Sequence, residues 1–334
     1  MPDLRIFHDT DADPSVLAGK TVAVVGYGNQ GRSQALNLRD AGLRVVVGNV
    51  TDAYAEQARA DGFAPRPIAE ACRGADVVML LLPDEIMPEV YARDVAPELR
   101  AGTVLDFASG YNVAFGLIVP PTDVDVILIA PRMIGPGVRD SVVAGHGFPS
   151  FIALHQDASG EGMARLLALA RAVGSTRAGC LLMSMHDEAS LDLFTEQAFG
   201  PAFGRVMMAA VDTLIEAGYP PEAVLLELYL SGELVYSFQK ILQVGMLRQM
   251  DYHSHTSQYG TMTRSARFMD VDLQPRMRQI LTEIQDGTFA REWSGAQADA
   301  TAMFERVRAL RAAMPLNEWE TRARRAFRIG DAAE

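Results

Sequence analysis

Eleven consecutive residues restrict what this chain can fold into more than any others: Thr21-Val22-Ala23-Val24-Val25-Gly26-Tyr27-Gly28-Asn29-Gln30-Gly31. The first five have the small and β-branched apolar character of a strand buried on both faces, and Asn29 to Ala41 has the composition and period of a helix. A strand, a glycine turn and a helix start together make a seat for phosphate. Gly26 permits the tight turn, Gly28 lets the backbone approach a pyrophosphate, Gly31 lets helix and strand pack closely, and the free N–H groups at the helix start attract the anion. With 28 glycines in 334 residues the bare Gly-x-Gly-x-x-Gly pattern could arise by chance. Its position directly after such a strand gives it meaning. Gly26, Tyr27, Gly28, Asn29, Gln30 and Gly31 are therefore expected to bind a dinucleotide.

Further short apolar runs follow in the same rhythm. Leu43–Gly48, Asp76–Pro83, Thr103–Phe107, Asp125–Ile129 and Ser150–Leu154 read as strands, with helical segments such as 53–60, 86–91 and 160–173 between several of them. This alternation predicts a mostly parallel sheet covered by helices, with ligands bound beyond the strands' carboxyl ends. Those ends carry Leu82-Pro83-Asp84, Ser109-Gly110 and the segment from Ala130 to Gly137, each expected to lie over the cofactor. After the second strand come Asn49, Thr51 and Asp52, where such folds contact the adenosine ribose. No basic residue lies between Arg44 and Arg59. A 2′-phosphate wants Arg or Lys and would be repelled by Asp52, so the reading favours NADH over NADPH. Asp52 is equally suited to the start of the 53–60 helix.

From Ser184 onward the pattern is helical, with long periodic stretches at 191–217 and 221–250. The expected division is an α/β Rossmann-type domain over 1–183 and an all-α domain over 184–330. A net charge of -12 with no Lys/Arg run argues against a nucleic-acid groove. Cys72 and Cys180 form no metal or disulfide pattern, Met1 to Asp13 does not look like a signal peptide, and the apolar runs are short for a bilayer. A cytoplasmic protein without membrane association is the simplest expectation.

In the helical half Asp192 and Glu196 are four apart, near enough on one helix face to hold a hard cation, and Glu188 extends the row. Such a pair is usually a solvated face, but the segment around it is apolar. Glu227 sits within Val224-Leu225-Leu226-Glu227-Leu228-Tyr229-Leu230, where a charge is costly unless paired. Together Asp192, Glu196 and Glu227 would suit Mg²⁺.

The sequence resembles the short, class I ketol-acid reductoisomerases over nearly its whole length. The resemblance rests on Leu17–Gly31, Leu81-Leu82-Pro83-Asp84-Glu85, Pro120–Val126, Gln156–Gly160, Thr176–Gly179, Asp192–Gln197, Glu216–Tyr219, Tyr259-Gly260 and Phe289–Trp293, in the family's order. It implies a Rossmann-type domain, a knotted α-helical domain, and active sites built between subunits of a homodimer or higher homo-oligomer. Such enzymes isomerise an acetohydroxy acid by Mg²⁺-assisted alkyl migration and reduce the product with a nicotinamide hydride, a step of branched-chain amino-acid synthesis. By resemblance, Asp192 and Glu196 are metal ligands, Glu227 is a glutamate supplied to the second subunit, and Ser254 binds substrate.

Several family residues are replaced. The loop Ala-His-Gly-Phe-Asn-Ile-His-Phe-Gly is here Ala108-Ser109-Gly110-Tyr111-Asn112-Val113-Ala114-Phe115-Gly116, without either histidine. Ala-Pro-Lys has become Ala130-Pro131-Arg132, Gly-Pro-Gly-His has become Met133-Ile134-Gly135-Pro136, and the second glutamate of the other subunit is Ser231. Gln258 and His255 replace a glutamate and an asparagine. Losing a carboxylate leaves a two-Mg²⁺ site under-charged, so one ion or none is expected. Alkyl migration most needs that charge, whereas hydride delivery needs orientation and one positive group. The expectation is a reductase of a small 2-oxo or imino acid, with Arg132, Asp192, Glu196 and Ser109 catalytic and Glu227, Ser231 and Ser254 at the substrate. The alternatives are the complete isomeroreductase and a cofactor-binding protein without catalysis.

Overall fold

The computed structural model of the chain describes residues 4–330, the side chain of Ala298 excepted. The chain divides into two compact units, 1–192 and 193–334.

The first unit is built on one eight-stranded sheet. In chain order its elements are β1 (Ile6–Phe7), β2 (Thr21–Val25), α1 (Asn29–Asp40), β3 (Arg44–Gly48), α2 (Ala53–Ala60), α3 (Ile68–Cys72), β4 (Val77–Leu80), α4 (Met87–Val90), β5 (Val104–Phe107), α5 (Tyr111–Ala114), β6 (Asp125–Pro131), α6 (Gly135–Val143), β7 (Ser150–Gln156), α7 (Gly162–Val173), β8 (Cys180–Leu182) and the start of α8 (Met185–Phe194). The strand order is β1-β8-β7-β6-β5-β4-β2-β3. From β3 to β6 the pairing is parallel, as the alternation of strands and helices predicts. The far side is mixed: β7 runs antiparallel to β6, β8 parallel to β7, and β1 antiparallel to β8. The connection from β6 to β7 contains only α6, and β1 is a two-residue edge, too short for periodicity to reveal.

Alternate residues of β2 enter opposite cores. Val22 and Val24 pack with Leu38 of α1 and Leu166 and Leu169 of α7, while Ala23 and Val25 pack with Ile68 and Cys72 of α3. A strand buried on both faces has no polar alternation, which is why it reads as a continuous apolar run.

The second unit is helical, with α9 (Gly200–Glu216), α10 (Pro221–Leu225), α11 (Glu233–Val244), α12 (His255–Ser265), α13 (Gln274–Gln285), α14 (Thr288–Ala312) and α15 (Pro315–Phe327). Its own core holds Val211, Val224 and Leu225 against Leu316 and Trp319. The periodic stretch 221–250 is broken by Gly232 (φ 84°) and Gly245 (φ 90°), backbone conformations that side-chain-bearing residues rarely adopt. Two π turns interrupt the helices, at Thr195–Phe199 and Leu226–Leu230. Within the 32-residue helical run Met185–Glu216, one 18-residue window reaches a mean hydropathy of 1.2. That window is long and apolar enough to cross a bilayer by length and composition alone, a test that core helices of soluble proteins also pass.

Candidate active site

Strand β2 has β3 on one side and β4 on the other, so successive connections diverge at this point. Ligands of such sheets bind in the crevice where that happens. A cleft of about 560 Å³ lies there, lined by Gly26 to Gln30 after β2, Asn49, Val50 and Asp52 after β3, Leu81 to Asp84 after β4, and Ala108 and Ser109 after β5. Thr51 lines the neighbouring cleft instead, together with Arg59 and Arg66. A smaller cleft of about 290 Å³, near Leu43, Arg171 and Arg177, lies by the start of β3, at the other end of the strands.

The glycines divide their work. A methyl group on Gly31 would strike the carbonyl of Gly26, so this position serves packing of helix against turn. Gly26 has φ 92° and no room for a side chain against Leu81. A methyl on Gly28 would meet nothing within 4 Å, which leaves that backbone approachable from the cleft. Asn49 connects this turn to the loop after β3. Its Oδ1 accepts from the Tyr27 N–H at 3.1 Å, and its Nδ2 donates to Asp52 Oδ1 at 2.8 Å. Asp52 caps α2, accepting from the Ala55 N–H at 2.9 Å. The same carboxylate thus starts a helix and faces the cleft. Across the cleft, Asn112 Nδ2 donates to Asp84 Oδ1 at 2.9 Å and ties the loops after β4 and β5 together. These residues fit a nicotinamide dinucleotide: an approachable glycine backbone at a helix start and a carboxylate where ribose hydroxyls would lie.

Beside the cleft is a charge cluster. Arg132, at the end of β6, donates from Nη2 to Glu188 Oε1 at 2.7 Å and from Nη1 to Asp192 Oδ1 at 2.9 Å. Its Nε donates to the Ala130 carbonyl at 3.3 Å, and its guanidinium lies 4.7 Å from the Phe151 ring centroid. Glu188 and Asp192 are one turn apart on α8, and the fork of the guanidinium matches that spacing. Glu188 is fully buried, and its other oxygen, Oε2, accepts from the Gly110 N–H at 2.7 Å. Burial raises its carboxyl above the ordinary range, an effect opposed by Gly110 and Arg132. Gly110 presses on α8 so closely that a methyl there would strike the Met185 carbonyl. Its N–H is therefore engaged with Glu188 rather than offered to a cofactor. Ser109, whose Oγ accepts from the Tyr111 N–H at 3.3 Å, lines the cleft beside Ala108. An imidazole also approaches the loop from α8, where the His186 ring lies 5.9 Å from that of Phe115.

Glu188 was legible only as one more acid in the Asp192 row. The available signal was its position one turn before Asp192, and its partner Arg132 lies 56 residues earlier in the chain. Expectations for the helical acids need correction. Glu196 and Glu227 are exposed in the chain, and Asp192 keeps 43% of its side-chain exposure, so none of the three bears the desolvation expected of a buried charge. Glu196 and Glu227 both fall on the second residue of a π turn, where plain four-residue helical spacing no longer applies. Ser231 follows the second of these turns and Ser254 caps α12, accepting from the Ser257 N–H at 3.2 Å. Among the described residues no group of three or more His, Cys, Asp or Glu side chains is arranged to hold a metal ion. With Asp192 bound to a guanidinium and Ser231 carrying no carboxylate, the donor set does not fit a two-Mg²⁺ centre.

Residues 16–179 match the family model described as acetohydroxy acid isomeroreductase, NADPH-binding domain, and residues 185–328 match that of the ketol-acid reductoisomerase C-terminal domain. The chain belongs to the ketol-acid reductoisomerase family. It is 44% identical over 301 residues to "Putative ketol-acid reductoisomerase 3" of Saccharolobus solfataricus, covering 89% of this chain and 90% of that one. It is also similar to the solved NADH-preferring ketol-acid reductoisomerase from an uncultured archaeon, at 34% identity and TM-score 0.91 over 96% of this chain and 98% of the other. A semialdehyde dehydrogenase NAD-binding protein from Cupriavidus necator, 20% identical with TM-score 0.54 over 78% of this chain and 99% of that one, shares the fold alone. As a member of the family the chain is an NAD(P)H-dependent oxidoreductase with a Rossmann-like first domain.

Proposed function

We propose that this family member uses NADH to reduce a small 2-oxo or imino acid, with alkyl migration lost or altered. The observation that carries the reading is the fork from Arg132 to Glu188 and Asp192 beside the cleft. A guanidinium keeps its charge at every physiological pH and cannot relay a proton, so it is suited to orienting a carboxylate or steadying an oxyanion. Three of its five N–H donors are engaged with Ala130, Glu188 and Asp192, leaving two for a substrate. The nicotinamide supplies the hydride when bound. Ser109 at the cleft edge donates to substrate, Glu188 fixes Arg132 and the Gly110 backbone, and Asp52 selects unphosphorylated ribose. Glu196 is a catalytic residue of this proposal, and Glu227, Ser231 and Ser254 are its substrate-binding residues.

The second reading is the complete acetohydroxy-acid isomeroreductase, favoured by the 34% identity to a solved NADH-preferring ketol-acid reductoisomerase across nearly the whole chain. NADH oxidation with 2-acetolactate beside 3-hydroxy-3-methyl-2-oxobutanoate separates the two. Turnover of only the second compound supports the reductase; turnover of both at similar rates replaces it with the isomeroreductase.

A homo-oligomer belongs to this proposal. The helical domain exposes Val235, Phe238, Leu242, Met246, Leu247 and Met269, with Leu242 and Leu247 each 87% exposed. Apolar surface of that extent favours a second copy as its cover. Light scattering after size exclusion is expected to give at least a dimer, and a monomer at micromolar concentration refutes this part. The proposed setting is the cytoplasm, where the buried thiols of Cys72 and Cys180, raised by burial to about 12 and about 11, would stay reduced.

A further inference from the structure

We infer that the Arg132 guanidinium is the standing cation at Asp192, occupying electrostatically the place that a divalent metal takes beside such a carboxylate. The inference rests on the reductase reading only for its consequence in catalysis. Its physical basis is confined to Arg132, Glu188, Asp192 and the loop at Gly110.

Four contacts fix the guanidinium. Two charge-assisted hydrogen bonds run to Glu188 and Asp192, at 2.7 and 2.9 Å, a third contact reaches the Ala130 carbonyl, and the Phe151 ring lies 4.7 Å away. Glu188 cannot release its partner cheaply, because it is fully buried and its other oxygen accepts from the neutral Gly110 N–H. An uncompensated carboxylate in that position would carry the desolvation penalty of a buried charge. Glu188 therefore holds Arg132 in place, and the same planar fork presents its other end to Asp192. A divalent ion arriving at Asp192 would meet a fixed positive charge already bonded to one of that residue's two oxygens. A lysine cannot do this with equal effect: its ammonium is a single point, and facing Glu188 it would leave Asp192 open.

Coulomb's law sets the scale. Two like charges a few ångströms apart at a partly exposed site repel strongly enough to change metal affinity by tenfold or more. The pair at Asp192 is partly exposed, at 25% for Arg132 and 43% for Asp192, so the effect is that of a screened site rather than of a dry interior.

The test is Mn²⁺ binding to the full-length protein, followed by electron paramagnetic resonance of free Mn²⁺, with NADH present and no substrate. The wild type is expected to bind at most one Mn²⁺ per chain. Arg132→Lys is expected to bind Mn²⁺ at least tenfold more tightly, or to gain one equivalent. The double variant Arg132→Met with Glu188→Gln, which leaves no buried unpaired charge, serves the same purpose should the lysine variant fold poorly. Two Mn²⁺ per wild-type chain, or affinities and stoichiometries in the folded variants within twofold of wild type, overturn the inference. Because no substrate is present, failure here leaves the reductase reading to its own assay, and failure of that assay leaves this inference standing.

Discussion

Glu188 and Arg132 meet at 2.7 Å with the carboxylate wholly buried and the guanidinium a quarter exposed. Removing one side of such a pair leaves the other charge without compensation, which typically costs several kcal/mol. Glu188→Ala is expected to lower unfolding free energy by about 3 kcal/mol, the lower part of the usual range because Arg132 can turn toward solvent. Glu188→Gln should lose less, since it still offers an acceptor to Gly110. Urea unfolding of the three proteins reads the difference. A change below about 1 kcal/mol for the alanine variant would place this pair among ordinary surface ion pairs.

Asp106 provides a pH-dependent prediction. It lies in β5 with no exposure, and neither carboxyl oxygen has a well-formed hydrogen bond, although the backbone N–H groups of Ile129 and Phe107 face it. Burial raises its carboxyl well above the ordinary range. The folded state therefore keeps a proton that the unfolded chain gives up near pH 4. Stability from this group is complete below the unfolded value and is lost as pH rises through the raised folded value. Asp106→Asn removes that dependence. Relative to wild type, its urea midpoint should improve from pH 5 to pH 8, and a difference unchanged with pH would contradict the argument.

Asp52 caps α2 and, in the proposed reading, selects unphosphorylated ribose, two roles that substitution can separate. Asp52→Ser keeps an oxygen to cap α2 while deleting the negative charge, so stability should fall by only a few tenths of a kcal/mol. The ratio of kcat/KM for NADH over NADPH should fall roughly tenfold, equivalent to about 1.4 kcal/mol of discrimination. Asp52→Ala should show the same change in cofactor preference and additionally lose about 1 kcal/mol from the missing cap. An unchanged ratio in both variants would remove Asp52 from cofactor selection.

The two glycines of the seat should fail in different ways. Gly31→Ala forces a methyl against the Gly26 carbonyl and is expected to destabilise the fold by about 1–3 kcal/mol. Gly28→Ala meets open space in the protein, so the variant should melt near wild type yet bind NADH at least tenfold more weakly. Thermal unfolding with and without NADH distinguishes the outcomes. Wild-type NADH affinity in Gly28→Ala would mean that the cofactor does not approach this backbone.

The sequence made the parallel half of the sheet legible because its strands are buried on both faces and keep time with helices. Four features escaped it. The two-residue β1 has no period to detect, and the antiparallel turn of β7 leaves no mark in apolar patterning. The π turns holding Glu196 and Glu227 insert a residue without changing composition. The cleft could be inferred from glycine spacing, yet the cluster beside it could not, since Arg132 and Glu188 are joined by tertiary packing alone.

Gly135 opens α6 against α1 so tightly that a methyl there would collide with the Asn29 carbonyl, and Gln30 Nε2 donates to the Met133 carbonyl at 3.0 Å. The helix that opens at the glycine turn is thereby splinted to the segment directly following Arg132. Any displacement of α1 would therefore be felt at the arginine's mooring, through one hydrogen bond and one close backbone approach.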